Sequence, residues 1–310
     1  MKTLLVCLLL VTNPPSDSLR VLFWNVENFF DWRNDSTSVS DTEFSSQGTR
    51  RWTRKRFQTK CDAIAKAILW AGAPDVIGLA EVENARVLKR LLQETVLRKL
   101  DYRIVHFDSP DPRGIDVALL YRDSRVELLE AKPCHLYAED STVLATRDIL
   151  LTQLRTSAGS EIAFLVNHHP SKYGGTAASE PRRRRAIMRL RQLADSLRAD
   201  ATLRILAMGD MNDTPENPAF LLLSPVLENR AVELHRQGKG TIKYEGRWEL
   251  IDMFFASPEA RTGPMRILQI PFLMTRDSAH TGTKPLRTYS GPRYIGGVSD
   301  HCPIAITLIM

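Results

Sequence analysis

Cysteine is scarce in this chain. Cys7, Cys61, Cys134 and Cys302 are all there are in 310 residues, and no two have the close spacing of a structural zinc site. Should Cys7 leave with an N-terminal leader, the rest allow one disulfide at most. Long apolar runs are also missing. Past the first residues no stretch has the roughly 20 apolar residues that a membrane-crossing helix needs, so no stable span is expected. Internal repeats and low-complexity linkers are absent, which leaves residues 19–310 as a single domain. Long helices between strands are few, and this argues for antiparallel pairing in mixed sheets over a regular β-α-β repeat. Nor do aromatic residues interleave with basic ones in the way that marks a base-reading surface.

What the chain does have is a large apolar fraction and a mild excess of positive charge. With 43% hydrophobic residues it can bury a sizeable core. A net charge of +6 and a sequence pI near 9.2 favour an anionic partner, with nucleic acid, phospholipid and small phosphate esters all open. The start, Met1-Lys2 followed by the apolar Thr3 to Val11 and a break at Thr12-Asn13-Pro14-Pro15, reads as a secretory signal over residues 1–18. That reading implies a secreted or periplasmic location; a buried N-terminal strand is the alternative.

Apolar runs that stop abruptly at polar residues organise the rest. Arg204 to Gly209 reads as a buried strand with Asp210, Asn212 and Asp213 emerging at its end. Asp210 and Asn212 are two apart, so on an extended backbone they share a face, where they can share a phosphate or a water. An Asx-rich turn closed by Thr214-Pro215 is the other reading. Leu19 to Asn28 ends the same way, with Asn25 its first amide, and Asp75 to Asn84 ends on Glu81 and Glu83. A carboxylate where a buried strand stops is well placed to hold a hard divalent cation such as magnesium, and Glu81 fills that position. Glu83 fits better as an acid at the start of an amphipathic helix from Asn84 to Leu100, with Leu88, Leu91, Leu92 and Val96 inward.

Further strands are expected at Tyr102 to Phe107, Ile115 to Tyr121, Ile149 to Leu154 and Glu161 to Asn167. The last runs into His168-His169-Pro170-Ser171-Lys172. There His168 can donate to a phosphate oxygen and Lys172 can meet an anionic ligand, while His169 reads as structural.

Two helices carry clusters of basic residues. Thr53 to Ala71 packs Phe57, Cys61, Ile64, Ile68 and Leu69. Arg50, Arg51, Arg54, Lys55, Arg56 and Lys60 near its start read as a solvated face, with a phosphate-binding patch as the alternative. Ser179-Glu180-Pro181 opens a second helix with Ala186, Ile187, Leu190, Leu193, Ala194 and Leu197 as its buried stripe. The arginines 182 to 185 oppose its dipole, so Arg182 or Arg183 is a candidate phosphate contact.

Asp252 is a lone acid inside the apolar run Leu250 to Ala256, and an unpaired buried carboxylate is costly enough to require a partner such as an imidazole. His301, in Ser299-Asp300-His301 ahead of the last strand, is the candidate. An imidazole oriented by a carboxylate can stay protonated and stabilise charge building on a phosphoryl group.

Six blocks now stand in order: Asn25 in FWNVEN, Glu81 in DVIGLAEVEN, His168 in VNHHPS, Asp210 and Asn212 in MGDMND, Asp252 in ELIDMFFAS, and Asp300-His301 in GVSDHCPI. Together they resemble the endonuclease/exonuclease/phosphatase family over nearly all of residues 19–310. The resemblance implies an α/β fold, a four-layer α/β sandwich with two mixed, mostly antiparallel sheets face to face and helices outside. It implies a magnesium-dependent or manganese-dependent attack of water on a phosphate ester. In that resemblance Glu81 is the principal metal ligand, with Asn25 in its shell and Asp300 reaching a metal too. Asp210 orients or deprotonates the water with help from Asn212, His301 held by Asp252 stabilises the charge, and His168 binds a non-bridging oxygen. Ala80 departs from the pattern, since many members place Gln before the glutamate. The basic balance and the arginine clusters favour DNA as substrate for a monomeric endonuclease, with a lipid or small phosphate ester as the runner-up and a non-catalytic binding module disfavoured by the intact blocks.

Overall fold

The computed structural model describes residues 18–34, 38–172 and 174–310. Residues 1–17 of the expected leader lie outside the described residues, and Ser18 already pairs with Ile309 as the first residue of a strand.

Twelve strands build two six-stranded sheets. In chain order they are β1 (Ser18–Phe29), β2 (Val76–Val82), β3 (Tyr102–His106), β4 (Asp116–Arg122), β5 (Val126–Cys134) and β6 (Ile149–Thr156). They continue with β7 (Glu161–His168), β8 (Arg204–Asp210), β9 (Glu228–Asn229), β10 (Asp252–Ala256), β11 (Arg266–Ile267) and β12 (Ile304–Ile309). The first sheet runs β11-β12-β1-β2-β4-β3 and the second β5-β6-β7-β8-β10-β9. Each sheet is antiparallel except for one parallel pair, β1 with β2 and β7 with β8. Helix α1 (Arg54–Trp70) makes the first crossover and α3 (Thr176–Leu197) the second, while α2 (Ala85–Gln93) follows β2. This is the expected α/β sandwich of two mixed sheets.

Alternation along β1 shows how the layers form. Leu19, Val21 and Phe23 join a core that also holds Leu165, Met208 and Phe254 of the second sheet. Leu22, Trp24 and Val26 face the other way, into a cluster with Phe57, Ile64 and Ile68 of α1 and Leu88 and Leu91 of α2. Strands buried on both faces read as continuous apolar runs, and each large side chain so buried contributes about 1.5–3 kcal/mol. The sheets close tightly at Gly78, where an added Cβ would stand 2.9 Å from the Met208 sulfur.

Several local expectations are corrected. Val96 is 51% exposed and Leu97 is buried instead, because α2 stops at Gln93 and Thr95 caps a separate 3-10 turn, Val96–Lys99, that resets the helical phase. Leu69 is 42% exposed at the end of α1, beyond the stripe that the sheet covers. Helix α3 starts at Thr176, with Pro181 inside its second turn rather than opening it. Lys60 is not on a solvated face but buried. Strand β5 was not expected; its edge position, with exposed Glu127, gives it little apolar signal. Cys61, Cys134 and Cys302 are free and buried. No described helix is long and apolar enough to cross a membrane.

Candidate active site

Parallel neighbours end at the same sheet edge, and ligands in open α/β sheets sit beyond such ends. Both parallel pairs end at one place. Asn25 lies opposite Ala80, just ahead of Glu81, and His168 lies opposite Asp210. Asp252 begins the antiparallel β10 directly across from Asp210. The turn before β12 brings Asp300 and His301 to the same edge. The result is a cavity of about 220 Å³ lined by Asn25, Glu81, His168, Asp210, Asn212, Asp300 and His301.

Asp210 is the hub. Its Oδ2 accepts from Asn25 Nδ2 at 3.0 Å and faces the Nε2 atoms of both His168 and His301 at 3.7 Å. Its Oδ1 accepts the backbone N–H of Asn212 at 2.9 Å. That last bond forms an Asx turn in which Asn212 takes a left-handed φ of 50°, so the two side chains do not simply share a face as on an extended strand. The Asn212 side chain instead donates to the carbonyl of His169 at 2.9 Å. Burial pushes the Asp210 carboxyl up to about 7, against the opposing charge of His301.

The imidazole that Asp252 needs is there. His301 Nδ1 stands 2.8 Å from Asp252 Oδ2. Burial alone would keep this ring neutral, but the neighbouring Asp252 and Asp210 outweigh it and hold its pKa well above the ordinary value. Ser299 Oγ fixes the turn by donating to the Asn25 carbonyl at 2.6 Å and accepting the His301 N–H at 3.0 Å. His168 is the opposite case: burial first, then the charges of Arg147 and Arg113, hold its pKa well below the usual value. The site therefore pairs a neutral imidazole with a cationic one on either side of a carboxylate poised near neutrality, an arrangement suited to moving a proton.

The acidic side of the cavity is built around β2's last turn. Glu81 adopts φ 62° at a bulge between Ala80 and Val82. A left-handed non-glycine residue costs on the order of 1–2 kcal/mol, and such strain concentrates at functional sites. The bulge sends Glu81 and Glu83 to separate amides, Asn28 N and Asp31 N, each at 2.7 Å. Glu83 thus braces the loop after β1, and Asn84 caps α2.

Four charged residues of the site carried no sequence expectation as part of it. Glu27 accepts from Arg287 Nη2 at 2.9 Å and from the Thr288 N–H at 2.9 Å, and burial followed by the charge of Asp300 raises it to about 7. Arg287 Nη2 also reaches Asp300 Oδ2 at 3.1 Å. Arg113 Nη2 lies 3.6 Å from Glu81 Oε2. Arg147 donates to the His169 carbonyl at 2.6 Å. All four sit within a few residues of a strand end, which is the signal that could have found them. Beneath them the buried Lys60 ammonium donates to the Glu27 carbonyl and to Thr288 Oγ1.

Lys172 and Arg182 do not line the cavity. Lys172 pairs with Asp213 at 3.2 Å and Arg182 is exposed on α3. Arg183, the other candidate, is buried in an internal pair with Asp213 at 3.1 Å. Among the described residues, two groups bring three potential ligand atoms within 4.8 Å of one another: Asp210, Asp252 and His301, and, outside the cavity, His106, Asp108 and Asp116. The hard oxygen donors at the cavity itself, Glu81, Asp300 and the side-chain Oδ1 of Asn25, which accepts the Glu27 N–H at 2.9 Å and keeps a second lone pair, are chemically suited to a divalent cation.

Solved structures share this architecture at low identity. A protein from Bacteroides thetaiotaomicron described as an endonuclease/exonuclease/phosphatase family member is 17% identical, with 94% of this chain and 95% of that one covered at a TM-score of 0.61. TDP2 of D. rerio, complexed with a single-strand DNA product, is 16% identical, with coverage of 94% and 99% and a TM-score of 0.60. A mannosyl-6-phosphatase of Bacteroides thetaiotaomicron is 16% identical, with coverage of 94% and 100% and a TM-score of 0.61. No curated protein matches the chain. Matched by a single family model from residue 20 to residue 310, the chain belongs to the endonuclease/exonuclease/phosphatase family.

Proposed function

We propose that the chain is a divalent-metal-dependent phosphodiester hydrolase whose substrate is DNA and whose metal is magnesium, with manganese able to replace it. Members of the family are phosphoester hydrolases. The observation that carries the reading is Asp210 Oδ2 set 3.7 Å from both the His168 and the His301 imidazoles, with His301 anchored on Asp252. A phosphate seated against these three groups leaves Asp210 to take the proton of an attacking water. As the water oxygen bonds to phosphorus and the ester oxygen departs, the imidazolium of His301 faces the growing negative charge. Neutral His168 donates from Nε2 to a non-bridging oxygen, and Asn25 and Asn212 keep Asp210 in register. Glu81, Asp300 and Asn25 would hold the cation, which when bound supplies positive charge to the phosphate and the leaving oxygen. Little covalent work falls to the protein; positioning and electrostatics do it.

DNA is favoured by the net charge of +6 and by the TDP2 relative with its bound DNA product. The signal-like start over residues 1–18 supports action outside the cytoplasm. The small cavity, about 220 Å³, together with the mannosyl-6-phosphatase relative, favours a second reading in which a small phosphate monoester is cleaved. Supercoiled plasmid and a sugar-phosphate panel, each with magnesium and with chelator, separate the two. Magnesium-dependent nicking supports the DNA reading. Phosphate release from the sugars without nicking would replace it.

A further inference from the structure

Two small hairpins stand beside the cavity, and the proposed chemistry uses neither. One pairs Ile242–Tyr244 with Arg247–Glu249 and the other pairs Met274–Arg276 with Thr283–Pro285. Both are rooted in the site. Thr241, at the foot of the first, accepts the Cys302 N–H on its carbonyl at 2.8 Å and takes the Asp252 N–H on its hydroxyl at 3.4 Å. The second leads directly into Arg287, which reaches Glu27 and Asp300.

A buried carboxylate locks the hairpins together. Asp277, whose side chain is 3% exposed, gathers Lys243 and Lys284 at 3.2 Å each and His280 at 3.5 Å. Lys243, its own side chain 3% exposed, ties the first hairpin to the second by also donating to the Thr281 carbonyl at 2.6 Å. One acid thus orders several cations, and positive charge is left over. Arg247 and Arg276 are exposed on the two hairpins, with Lys239 exposed just before the first. Glu245 is the single exposed acid among the strands and turn of the first hairpin, and Tyr244 beside it is 60% exposed. Two cross-linked hairpins with exposed arginines and an outward aromatic ring are the combination that holds a nucleic-acid backbone and stacks a base.

We propose that these paired hairpins are a nucleic-acid-binding wing that lays a DNA strand across the cavity, Arg247 and Arg276 meeting phosphates and Tyr244 a base. The proposal rests on the DNA reading above. It is tested on the full chain carrying Arg247→Glu and Arg276→Glu together, with Arg247→Gln/Arg276→Gln and Tyr244→Ala as milder variants. Binding of a fluorescent oligonucleotide is measured at several salt concentrations with chelator present, so that nothing is cleaved, and turnover of bis-p-nitrophenyl phosphate is followed separately. The wing predicts DNA binding weaker by roughly tenfold or more in the charge reversal. It also predicts a salt slope reduced by about two in the neutral double variant, with turnover of the small ester within about twofold of the wild type. Unchanged oligonucleotide affinity overturns it, as does a loss of small-ester turnover equal to the loss of binding, which would mean a damaged site. DNA bound through the wing but never cut would sink the DNA-cleavage reading and leave the wing standing.

Discussion

At the scale of single residues, the site is a set of ionisable groups whose environments push them apart. Asp252 keeps His301 cationic, burial brings Asp210 near neutrality, and burial with two arginines keeps His168 neutral. Replacing Asp252 by Asn leaves the shape but removes the charge that holds the imidazolium. The variant Asp252→Asn should lose about 10²–10⁴ in kcat with KM within a few-fold, measured on a soluble diester. A pure KM effect would place Asp252 in substrate binding instead. His169 has a different part. Its backbone carbonyl takes bonds from Arg147 and Asn212, and its ring is buried, with burial first and then Arg147 holding its pKa down at about 3. A histidine depressed from its usual 6.5 binds its proton in the unfolded chain first. Stability from this group is therefore complete above pH 6.5 and is lost as pH falls, by roughly 3 kcal/mol at pH 4. Urea midpoints between pH 7 and 4 should fall less steeply in His169→Asn; an identical acid limb would show that other groups dominate it.

At the scale of elements, the site depends on which strand ends the crossovers bring together. Helix α1 places Lys60 under the Glu27 carbonyl, and α3 places Arg183 against Asp213 in the turn that follows β8. Removing Arg183 takes the buried guanidinium from Asp213 and leaves it Lys172, the Asn217 amide and the Thr214 N–H. Arg183→Ala should therefore lose about 3 kcal/mol of stability in urea, the low end of what breaking a buried pair costs, while the folded fraction keeps its activity. A loss under about 1 kcal/mol would show that the pair is dispensable. These two residues also mark what a sequence hides. Apolar runs ending in Asn25, Glu81, His168 and Asp210 were readable because strand period and strand end are local properties. Whether a lysine or arginine on a helix faces solvent or a buried carboxylate depends on residues far along the chain, as with Lys60 and Thr288. The bulge at Glu81 and the left-handed Asn212 were equally out of reach, since tertiary bonds to Asn28 and within the Asp210 turn fix them.

At the scale of the whole molecule, two β-α-β units, one in each sheet, deliver Asn25 with Glu81 and His168 with Asp210 to a single edge, and the last strands close it with Asp252 and His301. The sandwich was legible from the ordered blocks and from the many short strands. The two hairpins beside the cavity were not, because their few residues have no apolar period and their order comes from one buried aspartate. Asp210 stands where it can take the proton of an attacking water. Single-turnover rates on bis-p-nitrophenyl phosphate with magnesium, for wild type and for Asp210→Asn with matched thermal melts, decide whether it does. Loss of at least about 10² in rate, with the melt preserved and substrate binding little changed, is the predicted result. A folded Asp210→Asn protein that turns over at the wild-type rate would contradict it.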